Sequence, residues 1–87
     1  MKVYKNGKMV MEIIEEVGVL ETSSTQKTQV NIVRDDRGKV KVAIQKYWRK
    51  EKDQEWNIGK GLFVSGRDAV SISDMLQQAG NKILHIK

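Results

Sequence analysis

The chain has no cysteine and a single histidine, His85. Without cysteine, disulfides, thiolate nucleophiles and cysteine-ligated zinc are excluded together. One histidine does not build a metal site by itself, and no motif points to a site made of carboxylates alone. Asp35 and Asp36 are adjacent residues in a turn-like stretch, read as solvated turn formers rather than metal ligands, and His85 as an ordinary tail residue. No apolar run approaches the roughly 20 residues of a membrane span, and the N-terminus lacks the apolar segment of a signal peptide. The missing cysteines also remove the usual mark of an oxidising compartment, so a cytoplasmic protein is expected, nucleoid-associated in a bacterial cell. No grouping of serine, histidine and carboxylate identifies a nucleophile with its base. An enzyme is therefore not expected, and neither is a cofactor, a small-molecule substrate or a membrane partner.

The 87 residues suffice for one compact domain and are too few for two. A chain of this size buries only about 60–65% of the surface its unfolded form exposes, so its core is thin. The net charge is +5, and it is concentrated. Between Lys27 and Lys60 there are ten basic and five acidic residues, while the rest of the chain is balanced. A polyanion is the first partner to consider, with charge supplying affinity rather than sequence choice.

Val3 to Val10 reads as a hairpin around Asn6-Gly7, the pair best suited to a type I′ turn. Glu12 to Glu21 is strand-like, with Gly18 marking a bulge or a close backbone approach. Thr22 to Gln26 is a polar loop. Lys27 to Arg34 is a further strand, with Val30 and Ile32 on one face and Gln29 and Asn31 on the other. Asp35-Asp36-Arg37-Gly38 supplies the next turn. Lys39 to Lys50 alternates most clearly. Its even positions, Val40, Val42, Ile44 and Trp48, are expected inward, and its odd positions, Lys39, Lys41, Ala43, Gln45, Tyr47 and Arg49, outward. Glu51 to Asn57 is a polar connection carrying Trp56, and Ile58 to Ser65 a final strand made flexible by Gly59 and Gly61. Ser65 and Asp68 form a capping-box pattern ahead of a helix whose buried stripe is Ala69, Ile72, Leu76 and Ala79. Ala69 to Ser73 also alternates as a strand would, and Gly80 is placed to end the helix. The tail Asn81 to Lys87 is apolar enough to dock on its own domain or on a partner chain.

These elements give an α+β fold: a curved, antiparallel, four-stranded sheet with an extra N-terminal hairpin, followed by one C-terminal helix. The whole is one domain, with residues 1–11 as the hairpin extension, 12–80 as the core and 81–87 as the tail. A helix covering one face leaves the other free, and the basic odd set of the central strand is expected there.

On that free face Lys39, Lys41 and Arg49, with Lys46 and Lys50 near the strand end, suit successive phosphates. Tyr47 adds a ring on which an unpaired base can stack, which favours single strands over a duplex that hides its base faces. Trp48 is core by parity, and only strand twist or a bulge exposes it. Trp56 lies in a polar loop beside Lys60, either accessible or folded back as a lid over the sheet edge. The glycines around Lys60 do not form a phosphate loop, because they lack the GxxxxGK[ST] pattern and precede a strand. They more readily let the backbone approach a ligand or another strand.

The string KVKVAIQKYW (Lys39–Trp48), preceded by RDDRGK and followed by GKGLFVS, resembles the C-terminal domain of the eukaryotic transcriptional coactivator positive cofactor four. The segments IIEEVGVLE and GKG bring it closer to that family's small bacterial relatives, which bind single-stranded DNA. The resemblance spans about Glu12 to Gln78. It implies a homodimer of curved sheets with C-terminal helices, binding single-stranded DNA, melted duplex or RNA with little sequence preference, in transcription regulation or genome maintenance. It implies DNA contacts at Lys27, Arg34, Arg37, Lys39 and Lys60, and it moves Trp48 toward binding. The chain departs from the family at Asp36, where an aromatic is frequent, and at Gln45, where arginine is; Lys41 and Lys46 stand nearby to compensate. It carries no counterpart of the coactivator's regulatory N-terminal region, so the resemblance does not extend to that role. Two other readings stay open: an RNA-binding protein of the same fold, and a protein-interaction module working through the apolar helix stripe.

Overall fold

The computed structural model describes residues 1–86. Five strands, β1 (Lys2–Lys5), β2 (Lys8–Ser23), β3 (Gln26–Asp35), β4 (Val40–Trp48) and β5 (Asn57–Val64), precede one helix, α1 (Gly66–Leu84). The strands form one curled antiparallel sheet in sequential order. Such a meander needs only short connections, and the local sequence supplies them. Asn6 and Gly7 both have positive φ, 54° and 77°, the pairing a type I′ turn requires. Gly38 takes φ 83° in the β3–β4 turn. There Asp35 Oδ1 accepts from the backbone N–H groups of Arg37 and Lys39, both at 2.9 Å.

β2 is longer than the sequence suggests. It runs unbroken through the boundary placed between the hairpin and the core, so β1 is the sheet's edge strand rather than part of a separate extension. Its pairing with β3 shifts register between Ile13 and Glu15, between Glu16 and Gly18, and between Glu21 and Ser23. Each bulge adds local twist, which lets so long a strand follow a curled sheet.

The alternation expected of β4 is correct in period and inverted in direction. Ala43 and Gln45, the odd residues, are buried, while Val40 and Trp48 are exposed. On β3 the buried set is likewise Gln29, Asn31 and Val33, with Val30 and Ile32 only half-buried. Register explains the match: Asn31 faces Ala43, Gln29 faces Gln45, and Ala43 faces Phe63. The core therefore lies on the inner face of the curl. Met11, Ile13, Val33 and Ala43 form it, with Val3, Val10, Ile58 and Phe63 packed around them. Three amides share this face. Gln29 Nε2 donates to Asn31 Oδ1 at 3.0 Å, while Asn31 Nδ2 has no partner among the described residues.

The reason for the inversion lies in α1. The expectation put the β-branched residues of β4 beneath a covering helix. The helix packs substantially only against β4, and none of its residues is buried. Ala69 and Ile72 are half-buried near its start, whereas Val70, Met75, Leu76, Ile83 and Leu84 are exposed. The cap is as expected, Ser65 Oγ accepting from the Asp68 N–H at 3.1 Å, and Ala69 to Ser73 are helical. The helix does not stop at Gly80. Ile83 extends the stripe of Ile72, Leu76 and Ala79 at spacings of three and four, so Asn81 to Leu84 belong to the helix rather than to a tail. Lys87 lies outside the described residues. Among these residues no helix is long and apolar enough to cross a membrane.

Reversed burial has a direct consequence for stability. Met11→Ala is expected to cost about 2–5 kcal/mol, because Met11 is wholly inside the curl. Val40→Ala, on the exposed outer face, is expected to cost less than about 1 kcal/mol. Urea denaturation of both variants checks this, and equal losses contradict the inner-face core.

Candidate nucleic-acid interface

The residues singled out on chemical grounds fall into three groups. At one end of the sheet, around the β3–β4 turn, stand Arg34, Arg37, Lys39 and Lys41. Carboxylates interrupt this group. Arg34 Nη1 lies 3.1 Å from Glu12 Oε1, and Lys41 Nζ lies 3.4 Å from Asp35 Oδ2. The Asp35 carboxyl is held below its ordinary pKa, first by the Lys39 N–H and then by the Arg37 N–H and the Lys41 ammonium, against some desolvation. It stays ionised, and it anchors both the turn and the nearest lysine.

The second group is at the other end of β4. Lys27 faces Tyr47 across the β3–β4 pair. The Lys27 ammonium sits 5.1 Å from the Tyr47 ring centre and 4.8 Å from that of Trp56, and the Arg49 guanidinium covers Trp56 at 3.9 Å. Cations over aromatic faces attract through the ring quadrupole. Arg49 is also tied down by hydrogen bonds. Its Nε donates to the Ser24 carbonyl at 2.9 Å, its Nη1 to the Gln54 carbonyl at 3.3 Å, and its backbone N–H to the Thr25 carbonyl at 3.0 Å. The β2–β3 turn and the β4–β5 connection are thereby clasped together. Trp56 is half-buried in this clasp, the lid reading of the two, and Arg49 is occupied within it. Tyr47 is on the inner face rather than the outer one. Its hydroxyl pKa is raised by burial and, less, by the Glu16 carboxylate, so it remains neutral at physiological pH.

The third group adjoins the clasp at the same end of β4, and it surrounds an open groove. Lys46, Trp48 and Lys60 line an open groove of about 640 Å³, together with Thr22, Gln26, Lys27, Thr28, Tyr47 and Gly59. A shallower extension of about 290 Å³ continues past Ile44 and Leu62, sharing Thr28, Lys46 and Lys60. Trp48 is 45% exposed, which resolves its two readings in favour of the surface. Neither Lys46 nor Lys60 is paired with a carboxylate among the described residues. Two expected features differ. The basic ladder of β4 is not continuous, since Lys39 and Lys41 lie about 20–30 Å along the strand from Trp48 at roughly 3.3 Å per residue. Lys41 and Lys46 also differ in parity and so stand on opposite faces.

Two glycines shape the groove wall. A Cβ on Gly59 would lie 3.2 Å from the Lys46 carbonyl oxygen and 3.4 Å from Trp48 Cδ1. A Cβ on Gly61 would collide with the side-chain amide of Gln45. The close backbone approach expected of these glycines is thus toward β4. Thr22, Gln26 and Thr28 were not among the residues singled out. Their signal was the register, since Thr28 faces Lys46 and Gln26 faces Trp48.

No protein-family model matches the chain, and neither a curated protein nor a solved structure matches it. The site therefore has to be read from its own chemistry.

The Asp35 turn makes a pH-dependent prediction. A carboxyl whose pKa is lowered by folding contributes stability above its unfolded pKa, and that contribution is lost as pH falls through the lowered value. The difference in thermal midpoint between wild type and Asp35→Ala should be widest at neutral pH and narrow as pH falls below about 4. A gap that does not change with pH contradicts the assigned role of the carboxylate.

Proposed function

We propose that this protein binds single-stranded nucleic acid with little sequence preference, DNA being the first candidate, and that the Trp48 groove is where a base is held. One observation carries the reading: a half-exposed indole shares one open groove with two lysines, Lys46 and Lys60, that no carboxylate pairs with among the described residues. An aromatic surface stacks any base, and flanking cations take the phosphates on either side. A duplex keeps its bases stacked on one another and offers Trp48 none. Lys27, at the rim of the groove, extends the positive surface toward the clasp. Arg34, which shares the face of Thr28 and Lys46, lies at the far end, where a strand running the length of β4 would reach it; Lys41 stands on the opposite face. The resemblance to positive cofactor four and its bacterial relatives supports the same assignment, and with it a place in transcription or genome maintenance.

The working form on this reading is a homodimer. Clear of the groove lining, the outer face carries half-buried Val30, Ile32 and Val42, and α1 presents Val70, Met75, Leu76, Ile83 and Leu84. Five exposed apolar side chains on one helix invite a partner surface, and a second copy related by a two-fold axis supplies one.

Two measurements test these statements. In sedimentation equilibrium at micromolar concentration the mass should be twice the 10.0 kDa of one chain; a folded monomer contradicts the dimer. In a titration series across salt concentrations, single strands should bind more tightly than duplex, with affinity falling steeply as salt rises. Trp48→Ala should lower single-strand affinity by about 1–3 kcal/mol while the salt slope and thermal midpoint stay close to wild type. Equal or tighter binding to a perfect duplex removes the stacking argument. RNA run in the same series separates the two nucleic acids.

A further inference from the structure

The β4–β5 pairing departs from regular geometry at one place. Gln45 faces Gly61 and Tyr47 faces Ile58, so Gly59 and Lys60 together oppose Lys46. A bulge of this kind disrupts the ladder locally and leaves backbone groups in need of other partners. Gln45 reaches them from the inner face. Its Nε2 donates to the carbonyls of Gly59 at 2.8 Å, Lys60 at 3.0 Å and Lys46 at 3.1 Å. Only 2% of Gln45 is exposed, so bulk water is poorly placed to substitute for the amide. The missing side chain at Gly61 is what makes room for it.

The bulge decides what the groove presents. A one-residue slip reverses the face of every residue beyond it. Here it turns Ile58 inward against the core and places Asn57, rather than Ile58, opposite Trp48. It also lays Gly59 against the indole edge, with Lys60 lining the groove beside Lys46.

We infer that Gln45 is a positioning residue for the groove. Its buried amide holds the Gly59–Lys60 bulge from the opposite face of the sheet, so that the Trp48 ring and the Lys60 ammonium are offered together to one nucleotide. The inference rests on the groove being the nucleic-acid site proposed above. The residue reaches no ligand itself; it determines where two other residues do.

The test is a double-mutant cycle. Binding of oligodeoxythymidine is measured across a salt series for wild type, Gln45→Met, Lys60→Ala and the double variant, with the thermal midpoint of each. Methionine keeps the length of the side chain and removes its donors. Lys60→Ala should weaken binding about fivefold at 0.1 M salt and flatten the log–log slope by about 0.7, as expected for one phosphate contact on a single strand. Gln45→Met should flatten the slope by a similar amount, and the double variant should be no flatter than Lys60→Ala alone. If Lys60→Ala behaves in this way and Gln45→Met lowers the midpoint but keeps the wild-type slope, the positioning role is wrong and the groove assignment stands. If wild type does not bind, or Lys60→Ala changes neither affinity nor slope, the groove assignment fails and the inference falls with it. Should Gln45→Met not fold, the side-chain amide protons of Gln45 in the wild-type protein decide. They should exchange slowly with solvent and shift when the oligonucleotide saturates the protein; rapid exchange, or resonances that do not move, overturns the inference.

Discussion

A sheet side chain has two faces to choose from, and a single extra residue in one strand reverses the choice for everything that follows. This constraint organises the molecule more than any single apolar contact does. β2 absorbs four register shifts, one against β1 and three against β3, and β5 absorbs one, and in each case the strand keeps pairing while its faces are reassigned. In β5 the shift is held by a neutral amide whose two hydrogens are shared among three carbonyls. Inside a protein such bonds are stronger than in water, and leaving one carbonyl unpaired there is correspondingly costly. The bulge is therefore a defined structure with its own stabilising contacts, and the groove is built on it.

The inner core is small and unusually polar. Four buried apolar residues are joined on the same face by Gln29, Asn31 and Gln45. Curling the sheet brings neighbouring strands' inner residues close together, which suits an alanine and hydrogen-bonded amides better than a second set of β-branched side chains. The larger apolar residues are left on the outer face and along α1, where a single chain does not cover them. The inward and outward faces of β4 have in this way exchanged the roles that alternation assigned them. A thin core and an apolar exterior are the features on which the proposed homodimer rests.

Charge is distributed by the same geometry. Arg34 and Lys41, and with them the β3–β4 turn, are balanced by Glu12 and Asp35 within hydrogen-bonding or ion-pairing reach. Arg49 and Lys27 lie over aromatic rings in the clasp, which keeps their charge but fixes their position. Lys46 and Lys60 line the open groove of Trp48 without a carboxylate partner or a ring of the clasp to hold them, among the described residues. The positive excess between Lys27 and Lys60 is real, yet only part of it faces a surface shaped to receive a ligand.

Local chemistry alone determined a good deal. Asn6-Gly7 and Asp35 to Gly38 specify their turns through φ preferences and side-chain acceptors that act within a few residues. Ser65 marks the helix start in the same way, and the period of β4 is legible because backbone pleating imposes it. The excess of basic residues and the lack of thiols are likewise facts of composition. Which face of β4 is inward was not legible, because it depends on what covers the sheet, and α1 packs only lightly on β4 and buries none of its own residues. The end of the helix was misplaced at Gly80 because a glycine is tolerated within a helix when apolar residues resume the stripe beyond it. The exposure of Trp48 and the gathering of Lys46, Lys60 and Thr28 around it were decided only in three dimensions. They follow from the register of three strands and from the bulge opposite Lys46, and pairing between residues distant in sequence leaves no trace in the spacing of any one segment.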